Sequence, residues 1–187
     1  RFISLLDTTN MTEVEGFFSE AKNIKNSHLS SLNTKNVTNM KSMFCGCKLK
    51  NINFSFLFTK NVTDMSYMFE SSSLENIDFS GFFTNNVTNM ENMFSGTEFL
   101  SDIDLSFFNT SKVVSMDGMF ERSKAKKIDI SSFKTESLKS MNYIFRYCRN
   151  LKIIGLPSFS SGIIVSMENI FDDCPSLEKI KLWRSHN

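Results

Sequence analysis

The sequence predicts an α/β solenoid of about seven repeats, each 25–26 residues long. Three observations carry that reading. A Phe returns at positions 18, 44, 69, 94, 120, 145 and 171, always 25 or 26 residues after the last. Apolar columns precede it at fixed spacing, and a short alternating stretch follows it. The stretch Asn36-Val37-Thr38-Asn39-Met40-Lys41-Ser42-Met43-Phe44 returns almost intact at 61–69 and 86–94. So regular a period makes each repeat one small unit that buries its apolar face only against its neighbours.

The chain enters in mid-repeat. Asp7-Thr8-Thr9-Asn10-Met11 resembles the turn that precedes the repeated stretch elsewhere, and no polar cap or amphipathic helix comes first. Solenoids need shielded ends. Residues 1–187 are therefore expected to be a single repeat domain, cut from a longer protein. Three columns come next. The first runs Met11, Val37, Val62, Val87, Val113, Leu138, Ile164. The second runs Val14, Met40, Met65, Met90, Met116, Met141, Met167. The third runs Phe17, Met43, Met68, Met93, Met119, Ile144, Ile170, directly before the Phe. Apolar residues at i, i+3, i+6 and i+7 predict one face of a helix or of a pair of helical turns. Thr88-Asn89-Met90-Glu91 reads as a capping box, and Thr63 with Asp64 as another favourable start.

After each Phe the period changes to two. Ile52-Asn53-Phe54, Ile77-Asp78-Phe79, Ile103-Asp104-Leu105, Ile128-Asp129-Ile130, Ile154-Gly155-Leu156 and Ile180-Lys181-Leu182 each predict a short strand with one buried face. A turn residue then closes each unit: Thr8, Thr34, Thr59, Thr84, Thr110, Thr135 and Ser161, whose hydroxyl can bond nearby backbone. Stacked units place the strands in one parallel sheet about 4.8 Å apart. With helical segments on the other, wider side, the strand face is expected to be concave.

Composition excludes several function classes. Twenty Phe and eleven Met fall almost wholly into the repeat, which marks them as packing residues. A net charge of +1 provides no global field for nucleic acid or anionic lipid. No apolar run approaches the ~20 residues that span a bilayer. Neither His28 nor His186 has a nucleophile at a recognisable spacing, and the seven Gly form no phosphate-binding loop. The sequence therefore predicts no catalytic residues, no cofactor and no nucleic-acid partner.

Cys47, Cys148 and Cys174 each lie three residues after the Phe, where other repeats carry Ala21, Ser72, Thr97 and Ser123. That column wants a small side chain, so free structural thiols are expected. A bridge between Cys148 and Cys174 in adjacent repeats stays open. Cys45-Gly46-Cys47 lacks a partner pair, and no metal site is predicted. Sequons at Asn10, Asn36, Asn53, Asn61, Asn86 and Asn109 mostly share one turn position, which turn chemistry explains without glycans. The candidate ligand-binding residues are the polar ones between the apolar strand positions: Asn53, Asp78, Asp104 and Asp129, with Asp102 beside them. Successive carboxylates could accept a basic ligand or a divalent cation. A solvated face is the plainer explanation, since the slot must be polar for the alternation to work. Lys126, Lys127, Lys152, Lys179 and Lys181 make the same surface basic further on, which suits a protein partner of complementary charge.

The pattern L-x-x-I-D-L-S-x-F-x-T-x-x-V-T-x-M-x-x-M-F-x-x-C, carried by residues 7 to 183, resembles the repeat of the BspA-like leucine-rich-repeat proteins of bacterial surfaces. The resemblance implies a leucine-rich-repeat-like, right-handed array. It also implies a cell-surface or secreted location and a role in adhesion or in binding a host or matrix protein. The expected function is then a protein-binding module that recognises its partner on the concave sheet. A structural spacer, or an intracellular interaction scaffold, is the alternative. Ends without caps allow end-to-end self-association.

Overall fold

The computed structural model describes residues 7–75, 77–98, 104–159 and 165–182. Within them the chain is mostly strand, bridge and turn. The α-helix content is one four-residue segment, Asn26–Leu29. Five short strands are present: β1 (Lys48–Lys50), β2 (Ser73–Glu75), β3 (Lys127–Asp129), β4 (Ile153–Leu156) and β5 (Lys179–Leu182). β1 pairs with β2, and β3 with β4 and β4 with β5, all parallel. The register steps by one repeat, as in Leu49 against Leu74 and Ile154 against Ile180.

Among the described residues the expected helices are absent, and the reason is visible in one repeat. The Met43 N–H donates to the Met40 carbonyl at 3.2 Å and the Cys47 N–H to the Phe44 carbonyl at 3.2 Å. Ser42 and Gly46 sit at positive φ, 54° and 69°. These are two consecutive tight turns with a left-handed third residue, the type II pattern. The N–H groups in between point along the stack. Those of Met40, Ser42, Phe44 and Gly46 reach the carbonyls of Asp64, Ser66, Met68 and Glu70 at 2.8–3.0 Å. Backbone donors thus alternate between closing a turn and joining the next repeat, so none needs a helix. The same left-handed positions recur at Tyr67 and Ser71, at Asn92 and Gly96, and at Tyr143 and Tyr147.

The expected caps do other work. Asn39, Asp64 and Asn89 each accept, through Oδ1, the N–H two residues on, at 2.8–3.0 Å. That local bond turns the chain instead of starting a helix. The Thr88 hydroxyl donates to Thr63 O in the preceding repeat. Parallel bridges then link Glu13, Asn39, Asp64, Asn89, Ser115, Ser140 and Ser166 in one continuous ladder. Hydrogen-bonded rungs on both sides set the same spacing of about 4.8 Å. A wider helical side was the basis for a concave strand face, and that basis falls away with the helices.

The core lies between the two ladders. Phe18, Phe44, Phe69, Phe94, Phe120, Phe145 and Phe171 form a continuous pile. Their centroids are 5.5–5.8 Å apart and successive planes differ by 3–9°. The Met columns fill in beside it, with Met40, Met43, Met65, Met68, Met90 and Met93 wholly buried. Phe54 and Phe79 stack at 5.4 Å behind the strand side.

The Thr column is buried, and its hydroxyls bond across repeats. Thr84 Oγ1 accepts the Asn109 N–H at 2.8 Å and donates to the Asn109 carbonyl at 3.0 Å. Thr59 does the same with Phe83, and Thr110 with Lys134. The local turn bond expected of these Thr residues is replaced by a side-chain rung between neighbours. Thr84→Val keeps the shape but strands both backbone groups of Asn109. We expect a loss of about 1–3 kcal/mol, read as a lower urea midpoint by circular dichroism, with Thr84→Ser close to the parent.

Candidate functional site

The alternating stretch after the Phe places Asn53, Asp78, Asp104 and Asp129 at equivalent points of successive repeats. Asp78, Asp104 and Asp129 are exposed and Asn53 is half-buried. Asn53 pairs in parallel with Asp78. Asp129 lies beside Gly155 in β3–β4, and Gly155 beside Lys181 in β5. Asp102 lies outside the described residues. The structure therefore joins Asn53 to Asp78 and carries the row from Asp129 to Lys181.

Each side chain in the row has a local bond. Asn53, Asp78 and Asp104 accept the N–H of Ser55, Ser80 and Ser106 at 2.8–2.9 Å. Asp129 accepts both the N–H and the hydroxyl of Ser131, at 3.2 and 2.7 Å. Each uses Oδ1, which leaves Oδ2 of Asp78 and Asp104 outside this bond and the Asp129 Oδ2 3.8 Å from Lys127 Nζ. The Ser80 N–H holds the Asp78 carboxyl below the ordinary value of 3.8. The Ser131 hydroxyl does the same for Asp129, helped by Lys127 and Lys181. A Cβ at position 155 would meet the Asp129 carboxylate, which would have to swing aside. Among the described residues no group of three His, Cys, Asp or Glu converges as a metal cage.

An aromatic edge, absent from the sequence reading, borders this row. Phe56, Phe58, Phe83 and Phe107 are 40%, 52%, 57% and 52% exposed. Phe58 and Phe83 are equivalent residues of adjacent repeats, and Phe56 and Phe107 belong to a neighbouring column. Lys35 Nζ sits 5.3 Å from the Phe58 ring centre. The signal was in the sequence, in the doublets Phe82-Phe83 and Phe107-Phe108. Adjacent residues of an extended segment face opposite ways, so only one of each pair can enter the core: Phe82 and Phe108 are buried.

The thiols are not bridged: Cys45, Cys47, Cys148 and Cys174 are all free. Cys47, Cys148 and Cys174 donate Sγ–H to the carbonyls of Phe18, Phe120 and Phe145, one repeat back. Burial pushes the Cys47 thiol up to about 11 and Cys148 to about 12. A thiol so raised is almost wholly protonated at neutral pH and a poor nucleophile.

The profile of a family described as "Mycoplasma protein of unknown function, DUF285" matches residues 1–105 and 73–183. No curated protein matches the chain. One similar solved structure is a leucine-rich repeat protein from Bacteroides ovatus ATCC 8483, at 13% identity and a TM-score of 0.32. The match covers 94% of this chain and 53% of that one, so the chain spans about half of that protein.

Two measurements check this geometry. Because the folded carboxyls of Asp78 and Asp129 lie below 3.8, they stabilise the fold fully above that pH. The contribution disappears as pH falls through the lowered values. The melting temperature of the parent should thus drop more steeply below pH 4 than that of Asp78→Asn/Asp129→Asn, which keeps the turn-capping oxygen without the charge. Iodoacetamide at pH 8 should label Cys47 and Cys148 at least 10-fold more slowly in the native chain than in 8 M urea.

Proposed function

We propose, for a chain that belongs to the Mycoplasma protein family DUF285, that it is a non-catalytic protein-binding module. Its single domain, residues 1–187, is a right-handed, leucine-rich-repeat-like solenoid, secreted or displayed on the cell surface. A protein partner, from the host or its matrix, lies across the edge formed by Asn53, Asp78, Asp104 and Asp129 and the neighbouring Phe56, Phe58, Phe83 and Phe107. The carrying observation is the exposure of those four aromatic rings on a closely laddered scaffold. Phe58 and Phe83 stand on successive Thr rungs, and exposed large apolar side chains on neighbouring rungs suit an interaction surface. Aromatic anchors ringed by polar groups carry most of the free energy of such contacts. Backbone bonded repeat to repeat, as in the ladder from Glu13 to Ser166, loses little freedom on binding.

A spacer is the second reading, and one observation favours it. The row's side chains all serve their own turns, as a purely structural face would require. The two readings separate on the outer groups. Charge reversal of the acids would break the turns, so the informative variant is Asp78→Asn/Asp104→Asn/Asp129→Asn, together with Phe83→Ser/Phe107→Ser. In a binding screen on immobilised extracellular-matrix proteins, the module reading expects a saturable signal that each variant weakens by roughly 10-fold. Protease shaving of intact cells should remove the array while cytoplasmic markers survive. A signal that both variants leave unchanged would make the edge mere solvated surface and favour the spacer.

A further inference from the structure

A second surface differs in chemistry from the edge just described. A cleft of about 660 Å³ opens on the corner that follows the Phe in the fifth and sixth repeats. Arg122, Ser123, Lys124, Tyr147, Arg149 and Asn150 line it. The cations of this protein are otherwise mostly Lys, yet here two Arg and one Lys converge with a Tyr. We propose that this cleft binds a small ligand bearing a phosphate or sulfate group, of the sugar phosphate or sugar sulfate class.

The local backbone fixes the corner. Arg122 and Tyr147 are equivalent residues on adjacent rungs, both left-handed, with φ of 57° and 60°. The Arg122 N–H bonds the Arg146 carbonyl at 2.8 Å and the Tyr147 N–H the Asp172 carbonyl at 2.8 Å. Tyr147 then orients the charges: its ring centre lies 5.2 Å from the Arg122 guanidinium and 5.0 Å from that of Arg146. Such contacts hold a guanidinium in place without consuming its N–H donors.

The acids nearby do not cancel the site. Glu121 is nearly buried and is taken chiefly by Arg146, through Nε at 3.2 Å and Nη2 at 2.8 Å. Arg122 gives it one contact, Nη1 at 3.2 Å, and keeps a side chain that is 63% exposed. Lys124 pairs with Glu98 on the preceding repeat and Arg149 with Asp173 on the following one, so the acids stand at the two ends. The exposed Lys124 pair is worth little in water. Arg149 holds Asp173 through both Nε at 2.9 Å and Nη2 at 2.8 Å, so the guanidinium fork open to a ligand is that of Arg122. An oxyanion that accepts two N–H groups from that fork competes well with its one contact to Glu121. A volume of this size suits a small molecule. The Tyr147 hydroxyl and the Asn150 amide supply neutral groups for sugar hydroxyls.

The test is calorimetric titration of the 187-residue chain in 50 mM salt with glucose 6-phosphate, glucose 6-sulfate, inorganic phosphate and glucose. The expected result is saturable binding of at least one sugar oxyanion, tighter than inorganic phosphate, and none of glucose. The two sugar arms tell phosphate from sulfate. Arg122→Gln/Lys124→Gln/Arg149→Gln should weaken binding at least 10-fold, and Arg122→Gln alone should weaken it severalfold if the triple variant loses its native circular dichroism. Asp78→Asn/Asp104→Asn/Asp129→Asn should leave it unchanged, which separates this cleft from the protein-binding edge. Absence of saturation with every probe, equal binding of glucose, equal binding of inorganic phosphate and the sugar esters, or full retention by the Arg variants would overturn the assignment.

Discussion

The pile of Phe rings sets the constraint that the other columns obey. Near-parallel planes at 5.5–5.8 Å are an offset stack. Each ring can meet its neighbours only if every repeat returns the chain to the same point. A repeat one residue longer must absorb the extra residue away from the pile, and the chain does so. The 26-residue steps keep Phe120 within 5.8 Å of Phe94, and the bridge from Asn89 to Ser115 intact. The added residue falls between the Phe and the turn. The Thr hydroxyls act on the far side of the unit in the same way, since one oxygen serves both the N–H and the carbonyl of its neighbour. Side chain and backbone thus impose one pitch from three places.

That common pitch explains what could be read and what could not. The Phe period, the Met columns and the Thr column are all visible as spacing, and each is a physical column of buried side chains. Local conformation was visible where the alternation predicted β3, β4 and β5, and not in the Met stretch. Met40, Met43, Phe44 and Cys47 lie at i, i+3, i+4 and i+7 and all are buried. A helix face produces that spacing, and so do two successive type II turns, because each turn of four residues returns the chain to the same side. Periodicity alone cannot separate them. Residue chemistry can: Asn39, Asp64 and Asn89 stand where their side chains bond two residues on. Ser42, Asn92 and Gly118 stand where a left-handed φ is needed. Asn and Gly tolerate that region and are poor helix formers. Tyr67 and Tyr143 hide the signal, because bulky residues in a left-handed conformation are not expected from sequence.

The candidate row was half legible for a related reason. Alternation requires a polar residue between Ile77 and Phe79, and so locates Asp78 without saying what it does. The Ser two residues after Asp78, Asp104 and Asp129 was the missing clue, since Asp-x-Ser at a turn is the sequence of a side chain capping its own backbone. A carboxylate used in that way commits one oxygen to its own turn, so a structural role does not by itself exhaust the side chain. Position 155 shows how far the local geometry reaches. Its Gly looks like a gap in a polar ladder, yet a Cβ there would meet the Asp129 carboxylate.

Function can vary only in the columns that the pitch leaves alone. The Phe, Met and Thr columns are buried, and a change there disturbs both neighbours. The position after each left-handed turn is different. It holds Lys48, Ser73, Glu98, Lys124, Arg149 and Pro175 in successive repeats, a column outside the buried core whose contacts between repeats are polar ones. The cross-repeat ion pairs Lys124–Glu98 and Arg149–Asp173 form at this corner. The Arg–Tyr cleft opens there as well. The aromatic edge has the same logic: Phe58 and Phe83 each join the Thr rung through backbone N–H and C=O alone, which leaves both rings free to face outward. In a stack whose interior is fixed by period, side-chain chemistry is free to vary at the corners, so residue identity there distinguishes one repeat from the next more than the repeat pattern does.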